Sequence, residues 1–474
     1  MSEHRYDVVV LGGGIGGYTA AIRAAQLGKT VGIVEKEKMG GTCLHQGCIP
    51  SKALLRSAEM FAAMKHSEDY GISAENVSLN FERVLERKDR IVNQLHQGLQ
   101  FLMKKNKITI HHGNGRVIGP SIFSPRSGAV SVEKEEGDIE TLLSNNLIIA
   151  TGSRPRSLPG LEIDGTYIMT SEDALRMETL PKSVIIIGGG VIGVEWASML
   201  HDFGVEVTIV EVDNRLVNLE DKDVSKELER LFKKRGIKLE TGAKLISESV
   251  KVADGSVTLQ VDKQGELQEL SAERVLVSVG RVANVEGIGL ENTDVKIDKG
   301  VIRVNASMQT SESHIYAVGD VIGGLMLAHM AGHEGIVAAE HLAGHQPEEL
   351  QAHLVAKCTY TRPEIASVGW TQEQAEAKGH QVKVGKFSFK GVGKALVYGD
   401  SDGFVKVIAD KETNDILGVH MIGPQVTNSI TEAALAQVLN ATPWEVGQTI
   451  HPHPTLSEAL GEAMLAVDGI AISG

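Results

Sequence analysis

Cysteine is scarce in this chain, with three residues among 474. So few thiols exclude the disulfide scaffold of a small secreted protein, and those present have to be explained by position. Long apolar runs are also missing. No stretch approaches the roughly 18 to 20 apolar residues that a membrane-spanning helix requires. The opening MSEHRYDVVVLGGG lacks the basic segment and small-residue cleavage site of a signal peptide, and its apolar run breaks at glycines as a first strand would. The expectation is a cytoplasmic protein. Basic charge is in deficit, with 47 Lys and Arg against 61 Asp and Glu and a formal net charge of −14. That balance gives no electrostatic reason to approach nucleic acid or an anionic membrane; a basic protein partner suits it better.

What is present begins with size. A chain of 474 residues exceeds one compact core, and the usual domain size suggests about three. The hydrophobic fraction of 42% and charged fraction of 23% are ordinary for a globular protein. Within that length the chain repeats itself. Tyr6 to Gly17 reads YDVVVLGGGIGG, and Ser183 to Val194 reads SVIIIGGGVIGV. Each continues through a helix-compatible stretch (Tyr18 to Leu27; Glu195 to Phe203), a glycine stop (Gly28; Gly204) and a second strand ending in an acid (Thr30 to Glu35; Glu206 to Glu211). The acid stands 18 residues beyond the last glycine in both.

A single glycine triplet is a weak signal that a tight turn explains equally well. Strand, glycines, helix and acid in order, twice, is the context of a dinucleotide-binding βαβ unit. Gly12 and Gly188 permit the sharp turn, Gly14 and Gly190 let a pyrophosphate reach backbone N–H groups, and Gly17 and Gly193 let helix and strand approach closely. Glu35 and Glu211 can accept hydrogen bonds from a ribose. A carboxylate repels a 2′-phosphate, so Glu211 argues for NAD over NADP, and Arg215 weakens the inference only slightly.

Between the two units lie a polar helical region (Leu54 to Lys105), β-like alternation, and Leu147 to Pro155, LIIATGSRP, a strand ending in a small-residue turn. After the second comes a β-rich meander and then Ile315 to Asp320, IYAVGD. The nucleotide grammar stops near residue 346. Strands at Phe404 to Ile408 and Ile416 to Ile422 then lead into helices from Ile430, which marks a separate C-terminal domain.

Gly40 to Lys52 reads GGTCLHQGCIPSK. Cys43 and Cys48 stand five apart with Gly47 between them, a spacing that can close a small ring, whereas a zinc site wants a closer pair and two more ligands. The apolar stretch after Pro50 is helical in pattern and sets Cys48 near a helix N-terminus, where backbone N–H groups favour a thiolate. The alternative is a pair of inert buried cysteines.

GGTCLHQGCIPSK resembles the redox signature of the class I pyridine nucleotide-disulfide oxidoreductases, and in particular the branch that oxidises dihydrolipoamide. Further matches run along nearly the whole chain: ATGSRP at Ala150, GGGVIGVE at Gly188, YAVGD at Tyr316, LAH at Leu327 and HPHPTLSE at His451. The resemblance implies an α/β fold of two Rossmann-like dinucleotide-binding domains plus a C-terminal α+β dimerisation domain. In this sequence these would be an FAD domain at 1–150, an NAD domain at 151–277, a central domain at 278–345 completing the FAD site, and a dimerisation domain at 346–474. It implies FAD and NAD as cofactors, a homodimer, and a lipoyl-bearing acyltransferase as partner.

Residue by residue, FAD would lie on the first glycine turn with its ribose at Glu35 and its ribitol at Asp320. Thr151, Gly152 and Gly280 complete the cofactor-binding set. Lys52 would sit near the flavin and pair with Glu195. Cys48 would face the flavin, and Cys43 would exchange with dihydrolipoamide through a Cys43–Cys48 disulfide. His453 and Glu458 would form the acid–base pair, with the histidine reaching the disulfide of the other subunit. Pro454 restricts the backbone at His453 and admits a cis bond there. The sequence departs from the family at His45 and Gln46 inside the cysteine loop, at Pro452, and at Met330. Cys358 is expected to be a buried structural thiol.

Overall fold

The computed structural model describes residues 2–120 and 126–473. The chain divides into two compact units: residues 1–53, 82–156 and 281–350 form the first, and 54–81, 157–280 and 351–474 the second.

The first unit is built on a seven-stranded sheet. Strand Ser2–Leu11 lies parallel between Val31–Glu35 and Ile139–Ile149, and Thr109–His112 extends the sheet beyond Val31–Glu35. The other edge of Ile139–Ile149 is shared, its first half pairing antiparallel with Ala129–Glu133 and its last residues parallel with Ile315–Ala317. Val8, Val9, Val10, Ile33 and Ile149 are wholly buried, because a parallel strand covered on both faces reads as an unbroken apolar run. Helix Ile15–Gln26 covers one face together with Ala328–Leu342. These helices approach so closely that a Cβ on Gly335 would stand 2.5 Å from Gly16 O.

The second unit repeats the nucleotide plan in a five-stranded parallel sheet, ordered Lys238–Thr241, Glu206–Glu211, Ser183–Ile187, Arg274–Val277, Ile168–Thr170. The expected meander is a three-stranded antiparallel sheet over 243–272. Its C-terminal part is a five-stranded antiparallel sheet ordered Lys357–Thr359, Glu364–Gly369, Ile416–Gly423, Phe404–Asp410, Val382–Ser388. Val405, Val407, Ala409, Val419 and Met421 share a core with helices Val426–Val438 and Glu458–Ala466. Every position of the two central strands is buried, so their alternate residues need partners on the opposite face.

Several boundaries differ from the sequence reading. The nucleotide helices begin at Ile15 and Val191, not Tyr18 and Glu195, because the glycines at the caps pass directly into helical backbone. Leu54 to Lys105 is not one helical region: helix Cys48–Lys65 ends in a short 3-10 turn at Ser67–Tyr70, and a new helix, Phe81–Lys105, begins after an irregular stretch containing Gly71. The C-terminal helix starts at Val426, before Ile430. Among the described residues no helix is long and apolar enough to cross a membrane.

Candidate active site

Both glycine turns are built alike. Gly12 has φ +111° and Gly188 φ +108°, a left-handed conformation that side-chain-bearing residues resist. A Cβ on Gly17 would stand 1.9 Å from Gly12 O, and one on Gly193 1.9 Å from Gly188 O, so helix and turn touch only because both lack side chains. Gly14 and Gly190 cap the following helices, and among the described residues no side chain satisfies their first N–H groups. A Cβ on Gly190 would meet nothing within 4 Å and one on Gly14 only Gly41 Cα at 4.0 Å. Open backbone donors at the positive end of a helix fit the pyrophosphate of FAD or NAD.

The two acids do more than the sequence suggests. Glu35 Oε2 accepts from Gly13 N (2.8 Å) and its Oε1 from Glu37 N (2.8 Å). Glu211 repeats both bonds, with Gly189 N at 2.5 Å and Asp213 N at 2.8 Å. Each carboxylate thus pins its own glycine turn and keeps lone pairs for a ribose. Arg215 donates to Asn218 O at 2.9 Å and lies 3.4 Å from Glu373, so its charge is engaged within the protein.

The structure brings the expected Cys43–Cys48 pair together as free thiols, each half-buried and close enough to interact. Cys43 lies in the short helix Gly41–His45, and Cys48 is the first residue of helix Cys48–Lys65, with Pro50 tolerated in the first turn. The hydrogen bond to Cys48, then burial and the charge of Cys48, push the Cys43 thiol far above its ordinary value, while the Lys52 ammonium pulls it down. The loop is tied to the first glycine turn, since Gly40 N donates to Gly13 O at 2.8 Å.

Asp320 Oδ2 accepts from Ser153 Oγ at 2.5 Å, and Arg281 Nε lies 3.9 Å away. Thr151 Oγ1 donates to Asn284 O (2.8 Å) and Asn284 N to Gly152 O (2.9 Å), which fixes the turn after Ile149. Gly152 and Gly280 both have positive φ, +70° and +102°. Glu195 is buried and accepts from Tyr360 N at 2.8 Å. His453 Nδ1 is 2.8 Å from Glu458 Oε1, Thr455 N donates to Glu458 Oε2 at 2.8 Å, and the His453–Pro454 bond is cis. Burial pushes the Glu458 carboxyl up, but the bonds from His453 and Thr455 outweigh it and hold it below the ordinary range. The His453 side chain is 77% exposed. The thiols, Lys52, Asp320 and the first turn belong to the first unit; Glu195, the second turn and the His453–Glu458 pair belong to the second.

Three features escaped the sequence reading. Glu334 is buried, accepts from Gly319 N at 2.7 Å, and is raised above the usual carboxylate range by burial and the nearby charge of Asp320. His45 and His96 both hydrogen-bond to Met39 O, at 2.9 and 3.0 Å, bracing the cysteine loop against helix Phe81–Lys105. His451 forms a second histidine–carboxylate pair, with Glu432 at 2.8 Å. Only the odd histidine within the cysteine loop was a visible signal. Cys358 is half-buried and not fully buried, because its strand lies at a sheet edge; its Sγ is 3.9 Å from Thr427 O.

Comparison with known proteins points to one family. The family described as pyridine nucleotide-disulphide oxidoreductase matches residues 6–335, and its dimerisation domain matches residues 355–464. The chain is 61% identical over 468 residues to a dihydrolipoyl dehydrogenase of Bacillus subtilis, covering 98% of this chain and 99% of that one. It is 41% identical to a dihydrolipoyl dehydrogenase of Zymomonas mobilis, covering the whole of both. The solved structure of LpdA from Mycobacterium tuberculosis superposes with a TM-score of 0.89 at 26% identity, covering 97% of this chain and 99% of that one. With two nucleotide turns, a dithiol tied to the first and a match along nearly its full length, the chain belongs to the pyridine nucleotide-disulphide oxidoreductase family.

Proposed function

We propose that the chain oxidises dihydrolipoamide with NAD, through FAD and the Cys43–Cys48 pair, as a homodimer serving a lipoyl-bearing acyltransferase. The observation that carries this reading is the dithiol held by its own loop against the first glycine turn. FAD would be held by Gly12, Gly14, Gly17, Glu35, Thr151, Gly152, Lys52 and Asp320. NAD would be held by Gly188, Gly190, Gly193, Glu211 and Gly280. The four segments 1–150, 151–277, 278–345 and 346–474 carry the corresponding domains. When bound, FAD supplies the two-electron carrier between the dithiol and NAD.

The chain's own groups then have defined tasks. His453 donates its Nδ1–H to Glu458, which leaves Nε2 to take the proton of a substrate thiol. The substrate thiolate attacks Cys43 of the disulfide, a mixed disulfide forms, and Cys48 leaves as the thiolate. The second substrate thiol displaces Cys43, closing the lipoamide ring and leaving the dithiol. Lys52 supplies positive charge beside the pair.

Anaerobic addition of dihydrolipoamide to the purified flavoprotein should raise a long-wavelength charge-transfer band and support NAD reduction, and Cys48→Ser should abolish both. A wild-type flavoprotein that does neither refutes the reading. His453→Gln should lower turnover about 10²- to 10⁴-fold, the usual worth of a positioned acid–base group. Heterodimers pairing a Cys48→Ser chain with a His453→Gln chain should recover activity, because the histidine acts across the dimer; no recovery places it within one chain.

A further inference from the structure

The loop after Glu211 is held from a direction that the nucleotide motif does not foresee. On the C-terminal sheet of the second unit, Lys357 pairs with Ser367, Ser367 with His420, His420 with Lys406, and Lys406 with Lys386. Residues directly opposite on neighbouring strands project from the same face, so five polar side chains cross the sheet in one row. Three acids meet that row. Lys406 Nζ donates to both oxygens of Asp221, at 2.9 and 3.1 Å, and lies 3.1 Å from Asp223 Oδ2. Lys357 is 3.5 Å from Glu220, and Lys386 is 3.7 Å from Asp223. Lys406 is 3% exposed and Asp221 1%.

From Asp221 the constraint runs back to the glycine turn. Asp221 caps helix Lys222–Arg235 through Asp223 N (3.0 Å) and also accepts from Gln372 N (3.3 Å). Glu220 N donates to Val217 O, and Val217 N donates to Gly189 O, both at 2.8 Å. Val217 holds φ +42°, and the Leu216 side chain lies 2.5 Å from where a Cβ on Gly189 would stand. The segment 212–220 is thereby pressed onto the turn whose middle glycine also binds Glu211.

We propose that Lys406 is a positioning residue for NAD: by fixing Asp221 it holds residues 212–220 against the Gly188–Gly193 turn and sets the affinity of a cofactor it does not touch. This rests on the reading that NAD lies on that turn. A buried ion pair is a poor source of net stability compared with apolar packing, whereas it fixes one geometry well.

The test is steady-state kinetics on the holoenzyme. Lys406→Met should raise KM for NAD roughly tenfold while kcat and KM for dihydrolipoamide stay within about twofold, the pattern of lost uniform binding. It should also lower the melting temperature, since Asp221 is left buried and unpaired. The double variant Lys406→Met with Asp221→Asn removes both charges and keeps an asparagine cap, so its melting temperature should recover while KM for NAD stays raised. A folded, flavin-bound double variant with wild-type KM for NAD overturns the proposal, as does an equal fall in kcat with both substrates. Glu211→Ala separates the two ideas. If it leaves KM for NAD unchanged, the reading of the turn and the proposal fall together; if it raises KM and the double variant does not, the proposal alone falls.

Discussion

The two glycine turns share one hydrogen-bond plan and differ in what closes over them. In both, an acid 22 residues beyond the middle glycine accepts that glycine's N–H, and a later residue donates to its carbonyl at 2.8 Å. In the first turn that residue is Gly40, the entrance to the cysteine loop. In the second it is Val217, on the segment that Asp221 anchors. Glu35 is buried at 8% exposure, and Gly41 packs so near that a Cβ on it would stand 2.7 Å from Gly14 Cα. The second turn is packed by residues 212–220 at Gly189 but open over its last glycines, with nothing among the described residues within 4 Å of a Cβ on Gly190 and with Val191 and Val212 exposed at 44% and 63%. A closed turn suits a group that stays bound, and an open one suits a group that enters and leaves each cycle.

The sharpest way to break this contrast is to place the same side chain in both turns. Gly17→Val and Gly193→Val bring a Cβ equally close to a carbonyl. Gly17→Val should purify without flavin and without activity. Gly193→Val should stay yellow and keep its reaction with dihydrolipoamide, but lose reduction by NADH. Absorbance spectra and half-reactions read both outcomes; equal flavin loss from both variants would remove the distinction. Next in size is Gly41→Ala, strained at φ +60° as well as crowded. It should loosen flavin and slow the dithiol reaction while leaving the affinity for NAD intact, as dialysis and stopped-flow measurements would show.

Glu211→Ala tests the open turn from the other side. Removing the carboxylate should narrow the preference for NAD over NADP by about ten- to a hundredfold in kcat/KM, the worth of about 1.4 to 2.8 kcal/mol. The smallest effect concerns Glu334. Burial raises its folded value above the ordinary carboxylate range, so the folded state binds more protons and loses stability as pH rises from there through the raised value. Glu334→Gln should therefore melt roughly 2 °C higher than wild type at pH 8, with the difference vanishing near pH 4. A constant difference across that range would place its origin elsewhere.

Local grammar was readable where a residue's task depends on its own backbone. Gly12, Gly17, Gly188 and Gly193 are conspicuous because no other residue fits, and Cys48 because a helix pattern follows it. The irregular stretch before Phe81 was missed because polar composition alone does not separate a helix from a connection. His45 with His96, and Glu334 with Gly319, were missed because their partners lie far along the chain or carry no motif.

By itself, then, the sequence determined that there are two nucleotide turns, each with its acid, and a cysteine pair at a helix start, since these rest on spacing within one supersecondary unit. Tertiary structure decided which turn is covered and which is open, that each acid pins its own turn, and that a lysine on a distant antiparallel sheet anchors the loop of the second. Those outcomes depend on strand register and burial, which no local spacing encodes.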